Sequence, residues 1–459
     1  MVRVVKKRLA PASPAREART PTRARGAVSV PRRREKAPTP TPTRTPTPTP
    51  TPASDRSLEI AAEAVLIGAR AGAHRKRGRP FASGAAEPVI RPQIIDLPAA
   101  IPALADRFSA RGHVLYLVGG AVRDALLGRA PKDYDLATDA TPAEVEAILL
   151  ESGLDCRIKS QQLGVLVAAD GEHAFEIATF RRESSASDGR RPRRVAPGTL
   201  EDDAQRRDLT INALYYDPLR QEVVDHVGGL EDAGAGRVRT IGDPQRRFRE
   251  DGLRVLRFLR FFARFSTTDE IDPETARAIA AHRQMPAVSR AGIRAELEAA
   301  LVQVESVERY LALARGHGLL RRLFPGARPD PRLPESRELV VVLAVLLRGL
   351  EPPRLARALE QFGATRAETR SVGFLLQLAS LDPSRALELK RQQQRAGVSA
   401  QTVREFAAAV GLPAEQVRAF LEFSPSIRPD DPRLEGLTGR ERGAALERLE
   451  GERFSALLA

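Results

Sequence analysis

Two aspartates, Asp133 and Asp135, lie one residue apart in the stretch KDYDLAT at residues 132–138. We predict that this stretch is a β-strand, and side chains two residues apart on a strand face the same side. Two neighbouring carboxylates repel each other unless a cation or solvent lies between them, and oxygen ligands together with water and phosphate suit Mg²⁺. Two metal ions held in this way activate an attacking hydroxyl and support a leaving pyrophosphate. The pair therefore predicts a magnesium site, with a solvated loop as the usual alternative for an isolated Asp-x-Asp.

A pair of glycines, Gly119 and Gly120, precedes the aspartates in the stretch YLVGGAVRDALLG at residues 116–128. Glycine allows the chain to turn sharply after a predicted strand and allows a ligand to approach the backbone. The helix predicted next offers free N–H groups and the positive end of its dipole, which favour phosphate. Arg123 in its first turn opposes that dipole, so we expect this arginine to have an anionic partner. A structural turn is the alternative for the glycines alone, but with Asp-x-Asp following they favour nucleotidyl transfer.

An arginine and an aspartate follow in the stretch QRRDLTINAL at residues 205–214. Arg207 and Asp208 precede a strand-like segment. A planar guanidinium matches phosphate or sugar oxygens, so this position suits nucleotide binding. An Arg–Asp ion pair that caps the strand is the alternative.

The stretch REDGLRVLRFLRFFARF, residues 249–265, has apolar and basic residues at helical spacing. The apolar face consists of Val255, Phe258, Leu259, Phe262 and Phe265. The opposite side carries Arg254, Arg257, Arg260 and Arg264. Asp251 lies three residues before Arg254, so we expect the two to be neighbours on the helix surface. A solvated basic face is the usual alternative for such a pattern alone.

The bulk composition excludes several classes of protein. The chain has 459 residues, enough for roughly two to four domains, and its 42% hydrophobic residues can supply a sizeable core. The single cysteine, Cys156, excludes an intrachain disulfide and favours a reducing compartment, so we expect a cytoplasmic protein. No apolar run approaches the roughly 20 residues of a membrane-spanning helix, and no membrane partner is expected.

The N-terminal segment, residues 1–97, carries the excess positive charge. It holds 20 Lys and Arg against 7 Asp and Glu, whereas the remainder holds 53 against 52. Its first part is rich in Pro, Thr, Ala and Arg, a composition that predicts disorder. The stretch HRKRGRP at residues 74–80 is similar to an AT-hook, with a solvated basic linker as the usual alternative. We expect a disordered basic tail that binds nucleic acid nonspecifically.

The rest of the chain divides into an α/β part and a helical part. Residues 98–240 alternate between helix-like and strand-like stretches, and Thr141 with Glu144 marks a helix start. From about residue 241 the patterns are helical to the end. We expect an α/β domain at 98–240, a helical neck that binds base and RNA at 241–326, and a helical body at 327–459.

In this order, the three stretches resemble the signature of the class II tRNA nucleotidyltransferase and bacterial poly(A) polymerase family, within the polymerase-β-like nucleotidyltransferases. The resemblance runs from about residue 98 to about residue 325. It implies the fold class: an α/β nucleotidyltransferase palm domain followed by an all-α neck and body. Gly252 stands where alanine or proline is usual, and KSQQLGVLV lacks the His-Gly-Thr that often precedes the next strand in CCA-adding members.

The resemblance also implies a role for individual residues. Asp133 and Asp135 would be catalytic and hold Mg²⁺, while Glu176 is either a third metal ligand or a structural polar residue. The residues expected to bind the nucleotide are Gly119, Gly120, Arg123, Arg207, Asp208, Asp251, Arg254, Arg257 and Arg260. Asp251 and Arg254 would form a template for the base of CTP or ATP. Uracil offers a carbonyl where cytosine has an amino donor, so a carboxylate there would lose its partner.

The function implied is template-independent addition of CCA, meaning C, A or both, to tRNA 3′ ends from CTP and ATP by two-metal in-line transfer. A poly(A) polymerase that extends RNA 3′ ends with ATP is the alternative with the same chemistry. A second alternative is a catalytically inactive nucleic-acid-binding protein on the same fold.

Overall fold

The computed structural model describes residues 88–183, 195–285, 288–328, 332–428 and 430–458. Most of the expected disordered tail, including the AT-hook-like stretch, lies outside the described residues. Within the described ranges, no helix is both long enough and apolar enough to span a membrane.

A mixed sheet of eight strands forms the palm. The strands of the described ranges are, along the chain, β1 Val89–Pro92, β2 Leu115–Val118, β3 Tyr134–Thr138, β4 Asp155–Ser160, β5 Val165–Ala169, β6 Ala174–Thr179, β7 Arg181–Glu183, β8 Val195–Pro197, β9 Leu214–Asp217 and β10 Glu222–Asp225. Their spatial order in the large sheet is β1-β10-β9-β2-β3-β6-β5-β4, and β7 pairs with β8 in a separate ribbon. Only the β3–β6 pair of this sheet is parallel.

One face of the sheet is apolar and packs on helices. The palm helices are α1 Ala100–Ala110, α2 Gly120–Leu126, α3 Pro142–Glu151, α4 Leu200–Gln205 and α5 Gly229–Gly234. Leu136, Leu166 and Ile177 alternate toward this face and share one buried core with α1 and α3. The predicted start of α3 is confirmed, because Thr141 and Glu144 form a reciprocal capping box. The opposite face of β3, β6, β5 and β4 stays open.

The palm begins earlier than the sequence suggested. β1 lies inside the segment 1–97 that was expected to be a disordered tail, and it pairs antiparallel with β10. Ile95, just after β1, is buried in the palm core. Pro92 and three exposed side chains in β1 hide its strand character, because an edge strand needs no alternating apolar pattern.

The chain after residue 243 is helical, as expected. Its α-helices in the described ranges are α6 Pro244–Glu250, α7 Leu253–Phe265, α8 Pro273–His282, α9 Arg290–Gln303, α10 Val307–Gly316, α11 Leu319–Leu323, α12 Leu339–Leu346, α13 Pro352–Phe362, α14 Arg366–Leu378, α15 Ala386–Ala396, α16 Ala400–Val410, α17 Ala414–Glu422 and α18 Gly439–Leu458. The predicted fold class, an α/β palm followed by a helical neck and body, is confirmed. The domain boundaries at residues 240 and 326 stay predictions. Neck and body share one apolar core, which contains Phe258 of α7 and Phe362 of α13.

The neck helix is shorter than the sequence pattern predicted. The chain is extended at Asp251, so α6 ends before it and α7 begins after Gly252. The Asp251 carboxylate accepts a hydrogen bond from the backbone N–H of Leu253 and starts the new helix. A Cβ atom on Gly252 would lie 3.0 Å from a methyl group of Val288, so a larger residue here would require the Val288 side chain to shift.

Candidate active site

The register of the sheet places Asp135 next to the glycine turn. β2 runs antiparallel to β3, so that Val118, directly before Gly119, lies opposite Asp135. On the other side of β3, Glu176 of the parallel strand β6 lies opposite Asp135. Asp133 comes immediately before β3. The two sequence motifs therefore meet at neighbouring ends of two paired strands.

The carboxylates of Asp133, Asp135 and Glu176 line one cleft of about 690 Å³ on the open face of the sheet. No hydrogen bond or ion pair joins Asp133 or Asp135 to another side chain in the part of the chain that the structure describes. Although the outer edge of Asp135 is accessible, burial at the cleft floor raises its pKa, and repulsion by Glu176 and Asp133 acts in the same direction. Arg207 and Lys159 lower it only in part. The predicted pair thus shares a cleft without a fixed cation.

Glu176 has a partner of its own. Its carboxylate forms an ion pair with the ammonium group of Lys159 on β4. In the described ranges, no three His, Cys, Asp or Glu side chains are grouped so that they could hold a metal ion. The structure therefore favours an ion-pair role for Glu176, whereas Asp133 and Asp135 keep their oxygens free. Two such carboxylates, completed by water and phosphate oxygens, fit the ligand preference of magnesium.

The glycine turn approaches the second motif closely. Gly119 has φ 75° and ψ −122°, a backbone conformation that side chains disfavour. A Cβ atom there would lie 3.4 Å from the carbonyl oxygen of Asn212 and 3.6 Å from a guanidinium nitrogen of Arg207. The positive φ therefore calls for glycine, while the two distances are ordinary van der Waals contacts and show that the turn lies directly beside Arg207.

Arg123 lies beneath this turn, not in the cleft. It is only 3% exposed, and its guanidinium pairs with Asp124 at 2.7 Å. It also donates to the side-chain oxygen of Asn212 and stacks over the ring of Phe265 at 4.3 Å. The anionic partner expected for Arg123 is therefore the adjacent Asp124. The expected phosphate contact of Arg123 stays a prediction, because in this structure the guanidinium is 3% exposed and is engaged by this internal ion pair.

Arg207 forms a triad with two buried side chains, Asp203 and Tyr215. Its guanidinium pairs with Asp203 at 2.9 Å and donates to the hydroxyl of Tyr215 at 3.0 Å, and that hydroxyl donates to Asp203 at 2.8 Å. Burial lowers the pKa of Arg207, but its interactions with Tyr215 and Asp203 raise the pKa overall. An Arg–Asp ion pair does exist here, although its acid is Asp203 and not Asp208. The triad fixes the guanidinium beside the glycine turn.

Asp208 joins the palm to the neck. It pairs with Arg257 of α7 at 2.8 Å, and Arg257 reaches Glu296 of α9 at 3.2 Å. Arg260 pairs with Glu296 at 2.8 Å and donates to Gln303 at 2.6 Å. Burial raises the pKa of Asp208, but the charge of Arg257 and several hydrogen bonds lower it overall. The arginine side of α7, expected to face nucleotide or solvent, is largely covered by palm and α9.

The expected template pair, Asp251 and Arg254, is close in sequence but not paired. Arg254 forms an ion pair with Glu250 at 2.9 Å and donates to the backbone oxygen of Arg206 at 3.2 Å. The side chain of Asp251 accepts from the backbone N–H of Leu253 instead. The break between α6 and α7 causes this difference, since the two residues do not lie on one continuous helix.

The match to a known protein family lies in the palm. The sequence profile of the poly A polymerase head domain matches residues 115–239. The CCA-adding enzyme of Bacillus pumilus is 47% identical over 169 residues, which cover 37% of this chain and 40% of that enzyme. Poly(A) polymerase I of Salmonella typhi is 42% identical over 184 residues, 38% of each chain.

The likeness in three dimensions extends further than the sequence match. The crystal structure of Bacillus stearothermophilus CCA-adding enzyme in complex with CTP matches with a TM-score of 0.57 at 25% identity, covering 77% of this chain and 92% of that chain. By sequence, the chain spans only about two fifths of the length of the two curated relatives above. Over part of its length, the chain is thus similar to proteins of two kinds, a CCA-adding enzyme and a poly(A) polymerase I.

The head domain contains the aspartate pair, the glycine turn and the Arg207 triad, whereas Asp251 and Arg254 lie beyond it. Sequence reasoning missed three residues of this region: Asp203, Glu296 and Lys159. Asp203 lies four residues before Arg207, a spacing that brings two side chains together on a helix, so a local signal existed. Glu296 lies 36 residues from Arg260, and no local pattern connects them.

Proposed function

We propose that this protein is a template-independent RNA nucleotidyltransferase that adds CCA, or part of it, to tRNA 3′ ends. The observation that carries the proposal is the unneutralised pair Asp133 and Asp135, which shares a cleft beside the glycine turn and Arg207. A structural carboxylate pair would have its own cationic partner, because two close negative charges otherwise destabilise the fold. The family of the head domain supports the same chemistry.

In the proposed reaction, the 3′-hydroxyl oxygen of the RNA attacks the α-phosphorus of CTP or ATP. The bond from this phosphorus to the β-phosphate oxygen breaks, pyrophosphate leaves, and the hydroxyl proton passes to water. Magnesium held by Asp133 and Asp135 would lower the pKa of the hydroxyl and offset charge on the phosphate oxygens. Arg207, oriented by Asp203 and Tyr215, binds triphosphate or ribose at the turn formed by Gly119.

The base is selected at the start of the neck helix in this proposal. Only one oxygen of Asp251 is used by the N–H of Leu253, so the other can accept from the exocyclic amino group of cytosine or adenine. Arg254 donates to a ring acceptor beside it once its contact with Glu250 is exchanged for the base. UTP would leave the Asp251 oxygen opposite a carbonyl, at a cost on the order of 1–3 kcal/mol.

The deciding experiment uses the purified full chain with magnesium and two RNAs: a tRNA transcript lacking its terminal CCA and an unrelated RNA of similar length. CTP and ATP are supplied separately and together. We expect addition of C and A to the tRNA only, ending after CCA. Extension of both RNAs into long tails with ATP alone would instead support the poly(A) polymerase reading, which the 42% identity to a poly(A) polymerase I keeps as second candidate.

A further inference from the structure

The open face of the palm sheet has an ordered distribution of charge. Register aligns one row of side chains across six strands, from β9 to β4: Tyr215, Val118, Asp135, Glu176, Val167 and Arg157. Tyr215 and Val118 are buried, and the other four residues line the open cleft. Arg207 stacks at the Tyr215 end of this row. Carboxylates therefore occupy the middle of the face, and cations occupy both of its ends.

A β-bulge supplies a second cation at the β4 end. The pairing of β4 with β5 shifts between Ile158 and Ser160, which leaves Lys159 as an extra residue and re-aims its side chain. The Lys159 ammonium reaches Glu176 across β5, yet its side chain is 51% exposed and it has N–H donors to spare. Arg157 is exposed and lines the same cleft, and no described side chain pairs with it.

We infer that Arg157 and Lys159 bind the last phosphodiesters of the RNA substrate and direct its 3′-hydroxyl toward Asp135. This inference rests on the proposed function. In-line transfer needs the attacking oxygen and the leaving pyrophosphate on opposite sides of the α-phosphorus. Because the triphosphate is proposed to lie toward Arg207, the RNA must approach from the β4 side of β3.

The charge pattern orients the RNA in the same sense. The carboxylates of Asp135 and Glu176 repel phosphodiesters, whereas the cationic edge of β4 attracts them. The uncharged 3′-hydroxyl is the one part of the RNA end that can approach the carboxylates without this repulsion. The RNA backbone is therefore held over β4 and β5, and only its terminal ribose reaches β3.

The test compares the full-length wild type with the variant Arg157→Gln/Lys159→Gln. The charge-matched control is Arg91→Gln/Arg107→Gln. Both control residues are exposed residues of the palm, and Arg91 lies on β1, the edge of the sheet opposite β4. Each protein is assayed with a tRNA transcript lacking CCA, either natural or with uncharged methylphosphonates at its last two linkages. The KM for each RNA, the KM for the nucleotide, and RNA binding without nucleotide are measured.

We expect the KM for natural RNA to rise about tenfold in Arg157→Gln/Lys159→Gln at 0.15 M salt. Each phosphate contact to a single strand makes the slope of log affinity against log salt concentration steeper by about 0.7, so two contacts account for about 1.4. Taken from 1 M salt, where such contacts contribute little, down to 0.15 M, this slope corresponds to about a tenfold change in affinity. For the wild type, the KM should rise by a similar factor when the methylphosphonate RNA replaces the natural RNA. For the variant, the same replacement should raise the KM only slightly further. The KM for the nucleotide should stay within about twofold.

Equal KM values for the variant and the Arg91→Gln/Arg107→Gln control would overturn the inference. The inference would also be overturned if the rise in KM for the variant with the methylphosphonate RNA equalled the product of the two separate rises, because the two changes would then affect different contacts. In both cases continued incorporation by wild type leaves the proposed function standing. If wild type incorporates no nucleotide, the proposed function fails, and the binding titrations with the two RNAs still decide whether Arg157 and Lys159 contact these phosphates.

Discussion

Replacing Glu296 by glutamine should loosen the neck helix α7 from α9. The Glu296 carboxylate accepts from both Arg257 and Arg260, and the side chain of Arg260 is only 5% exposed. Removing one partner of a buried ion pair costs about 3–5 kcal/mol, because a charge stays buried without compensation. We expect Glu296→Gln to lower the free energy of unfolding by about 3 kcal/mol, the low end of this range. Arg257 retains its ion pair with Asp208, and Arg260 retains its hydrogen bond to Gln303.

Thermal unfolding followed by circular dichroism measures this effect. About 2–4 °C per kcal/mol is typical of domains of 150–250 residues, so Tm should fall by roughly 6–12 °C. Glu305→Gln is the matched control, because Glu305 pairs with Arg129 while 75% of its side chain is exposed. An exposed pair contributes about 0–1 kcal/mol, so the control should change Tm by a few degrees at most.

A double variant separates the cost of an unpaired charge from the value of the contact. Replacing both partners with apolar residues, as in Glu296→Leu/Arg260→Met, should recover most of the lost stability, because no buried charge then lacks its partner at this position. If Glu296→Gln and Glu305→Gln lower Tm equally, the buried network does not hold the neck helix, and the structural reading of Arg257 and Arg260 is wrong.

Three further predictions concern single residues. Gly229→Ala should cost about 1–3 kcal/mol, because its Cβ would lie 2.2 Å from a backbone oxygen, whereas Gly234→Ala in the same helix meets nothing and should leave urea unfolding unchanged or improved. Gly119→Ala should raise the KM for the nucleotide even where the protein is fully folded, because it strains the turn and displaces the proposed triphosphate contact. An unchanged KM would contradict this. Hydrogen bonding to Arg294 holds the pKa of Glu368 at about 2, below its ordinary 4.5, so this pair stabilises the fold above about pH 4.5 and the benefit is lost as pH falls toward 2. The Tm difference between wild type and Glu368→Gln should therefore shrink between pH 6 and pH 3, and a constant difference would refute the assignment.

Local features of this chain were predictable from sequence because they depend on residues close together. The capping box of Thr141 and Glu144, the strand that holds Asp135, and the sharp turn at Gly119 each follow from local backbone chemistry. The order of the motifs along the chain then indicated the site, since the strands that follow one another here also pair in the sheet.

Contacts between distant segments could not be predicted in this way. The apolar face of α7 was predicted correctly, but nothing in its own sequence says that Glu296 covers the arginines opposite. The anionic partner expected for Arg123 is present as Asp124, but no local pattern indicates the further contacts of Arg123 with Asn212 and Phe265. Lys159 reaches Glu176 only through a β-bulge, which a single sequence does not reveal.

The most direct test of the central claim measures incorporation and stability together in Asp135→Asn. The raised pKa of Asp135 shows that its charged form is disfavoured in the folded protein, so a neutral asparagine should leave Tm unchanged or raise it. Incorporation of CTP and ATP should nevertheless fall by at least a hundredfold, while Asp106→Asn, an exposed residue of α1, should match wild type in both measurements. Incorporation at the wild-type level in Asp135→Asn would show that this carboxylate does not hold the metal of a nucleotidyl transfer site.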